Sequence, residues 1–264
     1  AHPERLKLGG ERRELTLLFS DLAGFTSMSE KLAPEAVADV INLYLNEATR
    51  IVMAHGGTVD KFIGDAVMAF WGAPLADEAH ALHGVQAAIE MQAMMQRVQP
   101  QFRALGADEV RLRIGLHSGP AIVGNMGSDM RFTYTALGDT VNLAARLEGV
   151  NKAYGTPILL SGATAAMLGA EVPLRPVDRV KVKGKDLAVD VFTPCTDAAL
   201  IAATQTALDA YRAQDWDRSL QAWAQVRSLV PGDSLAGTFE DRIAALRNDP
   251  PAPGWDGSIA LDKL

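Results

Sequence analysis

Asp65 lies in the stretch Thr58-Val-Asp-Lys-Phe-Ile-Gly-Asp-Ala-Val-Met-Ala-Phe-Trp71. Apolar runs flank Gly64-Asp65, so the spacing predicts a tight β-hairpin with Asp65 at its tip. Lys61 is four residues earlier and, on a regular pleat, shares a strand face with Val59 and Ile63. A carboxylate on a rigid tip with a lysine beside it suits a phosphate and metal site. A second carboxylate, Asp21, follows the apolar run Leu15-Thr-Leu-Leu-Phe19. That run predicts a buried strand with Asp21 at its C-terminal end. Asp21-Leu-Ala-Gly-Phe-Thr26 then turns at Gly24 into a helical region opened by Thr26, Ser27 and Ser29. The free N–H groups of that turn suit a phosphate. Asn142 and Arg146 stand four apart on one predicted helix face, offering an amide and a guanidinium to one ligand. Each feature also has a bland reading: a polar turn, a helix cap, a solvated helix face.

The elements that must position these groups are legible in outline. Val37, Val40, Ile41, Tyr44, Leu45, Ala48, Ile51 and Val52 recur at helical spacing between Pro34 and His55, and Gly56-Gly57 ends the pattern. The order strand, helix, hairpin with a right-handed connection places the first strand beside the hairpin in one sheet. Asp21 and Asp65 then reach one sheet edge, a candidate Mg2+ pair for nucleotide chemistry. Residues 77–105 predict one or two long helices. Val110 to Leu116 predicts a half-buried strand, His117-Ser-Gly-Pro120 a turn, Ala121 to Gly124 a strand, and Asn125 to Arg131 an exposed arm. His117 reads as a packed structural histidine. A helix runs from about Thr140 to Ala153, with Asp139 as its N-cap. Ile158 to Leu160, Val172 to Pro176, Val180 to Val182 and Val189 to Phe192 read as strands. Lys181, Lys183 and Lys185 alternate around Gly184, as a charged edge strand or a phosphate-contacting hairpin.

Composition bounds the class. The chain is 48% apolar and 22% charged, ordinary for a globular protein. A net charge of −7 argues against nucleic acid or an anionic membrane as a general partner. The single cysteine, Cys195, allows no intrachain disulfide and fits a reducing compartment. The most apolar stretch, Ala79 to Met95, is broken by His80, His83, Gln86, Glu90 and Gln92, so an amphipathic helix is expected rather than a membrane span. No signal peptide is visible. The start Ala-His-Pro lacks an initiator Met, so a fragment of a longer protein is expected.

Four ordered motifs resemble the class III nucleotidyl cyclases. They are Phe19-Ser-Asp-Leu-Ala-Gly-Phe-Thr26, Asp60-Lys-Phe-Ile-Gly-Asp-Ala-Val-Met-Ala-Phe-Trp-Gly72, Leu112-Arg-Ile-Gly-Leu-His-Ser-Gly119 and Leu137-Gly-Asp-Thr-Val-Asn-Leu-Ala-Ala-Arg-Leu-Glu148. The resemblance spans roughly Leu15 to Phe192. It implies an α+β, ferredoxin-like (palm-type) βαββαβ domain. It implies that Asp21 and Asp65, with the Leu22 carbonyl, hold two Mg2+ ions per site, with Mn2+ as a substitute. The 22–26 turn, with Phe25 and Thr26, would hold phosphates. Lys61 and Thr135 match the base-recognition pair, and their donor and acceptor character favours ATP over GTP. Asn142 would orient the ribose, Arg146 would stabilise the transition state, and Lys183 would bind the triphosphate. The resemblance also implies a homodimer whose two sites each combine residues of both subunits.

The expected activity is therefore adenylyl cyclase, making cyclic AMP and pyrophosphate in signal transduction. A guanylyl cyclase and a non-catalytic nucleotide-binding or scaffold domain are the rivals. A diguanylate cyclase is excluded by the lack of a Gly-Gly-Asp-Glu-Phe-like signature. The expected divisions are a lead-in at 1–14, the cyclase domain at 15–196, a tetratricopeptide-like helical hairpin at 197–248 and a tail at 249–264. Trp255 to Leu264 is expected to tuck back onto the surface. A cytoplasmic catalytic domain is expected, with an N-terminal sensor or membrane domain outside this chain.

Overall fold

A computed structural model describes residues 9–108, 110–128, 130–181 and 188–260. The chain forms two compact units, Ala1–Gly149 and Val150–Leu264.

In the first unit, β1 (Gly9–Ala23) leads through the short helix α1 (Phe25–Ser29) to α2 (Pro34–Ala54). The hairpin β2 (Thr58–Ile63) and β3 (Ala66–Trp71) follows, then α3 (His80–Ala104). A second hairpin, β4 (Arg111–Ser128) and β5 (Arg131–Leu137), leads into α4 (Asp139–Tyr154). The strands run in the order β2, β3, β1, β4, with β5 paired to β4. Every one of these pairings is antiparallel.

The pleat of β1 sorts two cores. Leu15, Leu17 and Phe19 face a cluster with Met68, Phe70, Val123, Ala136 and Ala144. The alternate residues face α2 and α3: Thr16 meets His80, and Ser20 meets the buried Tyr44 at 2.7 Å each. Gly115 lets α4 approach, since a Cβ there would lie 2.2 Å from the Glu148 nitrogen.

Several local expectations give way to pairing. The first strand is much longer than Leu15–Phe19, because residues 9–14 pair with β4 up to Gly9↔Asn125. His117 to Pro120 is not a turn. Its backbone pairs with residues 14–17 of β1, so ladder hydrogen bonds outweigh the local Ser-Gly-Pro signal. Asn125 to Ser128 and Arg131 are likewise not a free arm but the end of the β4–β5 hairpin. Asp139 is the first residue of α4 rather than the residue before it.

The second unit carries β6 (Ile158–Ser161), α5 (Gly162–Leu168), β7 (Leu174–Lys181), β8 (Ala188–Pro194), α6 (Ala198–Arg212), α7 (Trp216–Leu229), α8 (Ser234–Asn248) and β9 (Ile259–Ala260). Strand β8 pairs antiparallel with β6 and β7, and β9 adds to β7 in parallel. The stretch read as one helix pair holds three helices. Asp197, Asp215 and Asp233 cap them, each side chain accepting a backbone N–H. Arg175 joins the last cap to the sheet, donating to both Asp233 carboxylate oxygens at 2.7 and 3.1 Å. Buried Asp178 accepts from Tyr154 and Arg242, both at 2.5 Å. Trp255 packs on Tyr211 and Trp216, so the described part of the tail folds back within this unit at that residue.

Candidate active site

The carboxylate pair is built by strand register. Phe19↔Met68 and Ser20↔Val67 are partners, so Asp21 and the hairpin tip that carries Asp65 leave the ladder at the same end. Gly64, at φ 64°, supplies the positive φ that a two-residue hairpin turn with glycine first requires. Asp65 Oδ2 accepts the Leu22 N–H at 3.3 Å, tying the hairpin tip to the end of β1. The Asp21 and Asp65 side chains come within hydrogen-bonding range of each other. Burial, and then the charge of Asp21, push the Asp65 carboxyl above the usual carboxylate range.

Arg113 stands directly across from Asp21 in β4. It donates to Asp21 Oδ2 at 2.7 Å and to Glu148 Oε1 at 2.8 Å. Burial raises the Glu148 carboxyl, and the Arg113 charge opposes that rise. In the sequence Arg113 alternates with apolar residues of a strand expected to be half-buried. Its register opposite Asp21 is the feature that pattern lacks.

A second group forms where the β4–β5 hairpin curls over the sheet. Tyr134 packs on Phe70, with ring centres 6.1 Å apart. Next to it, Thr135 Oγ1 accepts from Lys61 Nζ at 3.1 Å. The pleat near Lys61 is not regular, because a bulge falls between Val59 and Lys61. The bulge turns Asp60 toward the same place. Asp60 Oδ2 accepts from the Thr135 hydroxyl at 2.6 Å and from Ala136 N–H at 3.1 Å. Its side chain is fully buried, and sequence reading missed it.

The other residues nominated from the sequence fall in three places. Asn142 and Arg146 are both exposed on α4. Phe25 opens α1 half-buried and Thr26 is exposed, beyond a Gly24 at φ 86°. Lys183 lies outside the described residues.

The matching family model is that of the adenylate and guanylate cyclase catalytic domain, over residues 10–193. This chain belongs to that family. Adenylate cyclase 1 of Rhizobium meliloti is 42% identical to the cyclase chain over 181 residues, covering 69% of the chain and 27% of that protein. The chain thus spans about a quarter of this relative. The crystal structure of the adenylyl cyclase CyaB from P. aeruginosa is 36% identical, covers 72% of this chain and 97% of its own, and superposes with a TM-score of 0.66. That of the guanylyl cyclase Cya2 is 37% identical, with 70% and 93% covered and the same TM-score. Likeness across the cyclase fold therefore does not separate the two nucleotides.

The cyclase family implies divalent metal ions, and the carboxylate pair fits them. Two adjoining carboxylates, one with a raised pKa, are relieved by a hard cation that takes oxygen ligands. Among the described residues no three or more His, Cys, Asp or Glu side chains are grouped so as to hold a metal ion. Metal binding here would therefore draw also on backbone or substrate oxygen. No helix among the described residues is long and apolar enough to cross a membrane.

Proposed function

We propose that this chain is an adenylyl cyclase domain, converting ATP into 3′,5′-cyclic AMP and pyrophosphate for signal transduction. The observation that carries the choice of nucleotide is the contact of Lys61 with Thr135. An ammonium only donates, which suits the acceptor N1 of adenine, and a hydroxyl oxygen can accept from the 6-amino group. The 42% identity to a bacterial adenylate cyclase supports the same reading.

In the reaction, the ribose 3′-oxygen attacks the α-phosphorus. The bond from that phosphorus to the β-phosphate oxygen breaks, pyrophosphate leaves, and the 3′-hydroxyl proton passes to solvent or the leaving group. Asp21 and Asp65, with the Leu22 carbonyl, would hold Mg2+, or Mn2+ in its place. Two such ions supply a lowered pKa at the 3′-hydroxyl and neutralisation of the triphosphate. Asn142 orients the ribose. Arg146 meets the charge that grows on the α-phosphoryl oxygens. The turn at Phe25 and Thr26 holds phosphate through backbone N–H groups.

The working form is a homodimer with two shared sites. Phe62, Ile63, Phe132 and Leu137 support this, since these large apolar side chains are exposed on the strands that carry Lys61 and Thr135. Asp21 and Asp65 of one copy would then serve Lys61, Thr135, Asn142 and Arg146 of the other. The catalytic domain acts in the cytoplasm, under an N-terminal sensor or membrane domain.

The test is product formation from ATP and GTP with Mg2+ or Mn2+ over a range of protein concentrations. Cyclic AMP alone, with specific activity rising with concentration, is the expected result. Cyclic GMP in excess would replace the reading with guanylyl cyclase. Nucleotide binding without product would replace it with a binding module.

A further inference from the structure

A threonine hydroxyl is an ambiguous reader of a base. It has one hydrogen and two lone pairs, and by rotating it can donate or accept. Facing C6 of a purine, it would accept from the amine of adenine or donate to the oxygen of guanine. The contact of Lys61 with Thr135 leaves half of the discrimination undecided.

Asp60 removes the ambiguity. The Thr135 hydroxyl spends its hydrogen on Asp60 Oδ2 at 2.6 Å. Lys61 Nζ occupies one lone pair from 3.1 Å. One lone pair is left, so Thr135 meets a base only as an acceptor. Asp60 itself is held in place. Ala136 N–H donates to the same Oδ2 at 3.1 Å, the side chain is fully buried, and Oδ1 lies 3.3 Å from the Lys61 ammonium. That Oδ1 has no hydrogen-bond partner among the described residues, so its neighbour there is the lysine charge. The β2 bulge makes the arrangement possible, since on a regular pleat Asp60 and Lys61 would face opposite ways.

We infer that Asp60 is a specificity-determining positioning residue, which fixes Thr135 as an obligate hydrogen-bond acceptor and so sets the site for the 6-amino edge of adenine against the 6-oxo edge. The inference rests on the adenylyl cyclase reading. It adds that the pair Lys61 and Thr135 is selective only as a triad with Asp60.

The test is kcat/KM for ATP, GTP and inosine triphosphate. Inosine triphosphate shares the 6-oxo group and N1–H of guanine without its 2-amino group. Calorimetric affinities on the same proteins read selectivity where turnover is absent. The wild type should reject inosine triphosphate about as strongly as GTP. Asp60→Ala should lower the ratio of ATP to inosine triphosphate by roughly 5- to 150-fold, the range for one unsatisfied buried polar group. In a Thr135→Val background the same change should leave the ratio where Thr135→Val alone puts it. Asp60→Asn keeps an accepting oxygen for Thr135 and Ala136 and should keep the wild-type ratio.

Equal losses for both nucleotides in Asp60→Ala would reduce Asp60 to a structural residue and overturn the inference. So would the same change of ratio in the Thr135→Val background, or a wild type that takes inosine triphosphate as well as ATP. If Asp60→Ala does not fold, a collapsed ratio in Asp60→Asn overturns it, because charge and not hydroxyl orientation would then decide. A wild type that binds ATP over inosine triphosphate without turnover would end the cyclase reading and leave this inference standing. A wild type that binds neither would end both.

Discussion

Arg113 lies directly opposite Asp21 across the β1–β4 ladder and donates to its carboxylate at 2.7 Å. The same guanidinium holds Glu148 of α4 at 2.8 Å, so one arginine ties the carboxylate pair to the helix that carries Asn142 and Arg146. Removing it takes away the guanidinium that half-buried Glu148 shares with Asp21. Arg113→Gln should cost about 1–3 kcal/mol in unfolding free energy, below the range for a fully buried pair because these side chains keep some solvent. Adding Glu148→Gln should restore part of that loss. Urea unfolding of the two single variants and the double variant checks this. Additive losses would mean that the contact contributes nothing.

Asp65 carries a carboxyl raised by burial and by Asp21. Its pKa in the folded chain is above the unfolded value, so metal-free stability is fullest below the unfolded pKa and declines as pH rises through the folded one. Asp65→Asn removes this cost and should raise the Tm of the metal-free protein at pH 7, by about 1–3 °C after solvent screening. The same variant should lose the Tm increase that Mg2+ gives the wild type, together with turnover. Calorimetric scans with and without Mg2+ separate these effects.

Arg146 is exposed on α4, so removing it should leave folding nearly unchanged. Turnover by Arg146→Ala should fall on the order of 10³, the scale for charge-stabilising arginines in phosphoryl transfer. If the sites are shared, mixing Arg146→Ala with Asp21→Asn should regain up to about a quarter of wild-type activity. Half the dimers are then mixed, and each has one intact site. No recovery on mixing would argue for a site complete within one chain.

His80 is buried against Thr16, whose hydroxyl also lies 2.7 Å from Ser118. Burial holds its pKa below the ordinary 6.5, while Asp77 and Glu14 oppose the shift. Folding therefore favours the neutral ring relative to the unfolded chain. Its contribution is complete above the unfolded pKa near 6.5 and is lost as pH falls through the folded one. The wild type should lose stability below about pH 6.5, and His80→Gln should flatten that part of the profile. Tm measured from pH 8 to pH 5 for both proteins checks it.

The β2–β3 hairpin, α2 and the α4 face carrying Asn142 and Arg146 were legible in the sequence because their signals are local. A Gly-Asp break, a 3.6-residue period and a four-residue spacing each act within a few residues. Four motifs in order were enough to identify the family, and the resemblance nominated Asp21, Asp65, Lys61 and Thr135. The partners of those residues were not legible. Arg113 meets Asp21 because a register fixed along the whole of β1 places them opposite each other, 92 residues apart in sequence. Asp60 meets Thr135 because a bulge reverses the pleat at one position and a hairpin curls over the sheet from 75 residues away. Ladder pairing likewise kept His117 to Pro120 extended where the local residues favoured a turn. The sequence by itself carried the motifs and nominated the side chains of the candidate site. Strand register and the bulge, which sum hydrogen bonds over distant segments, decided which groups hold and charge them.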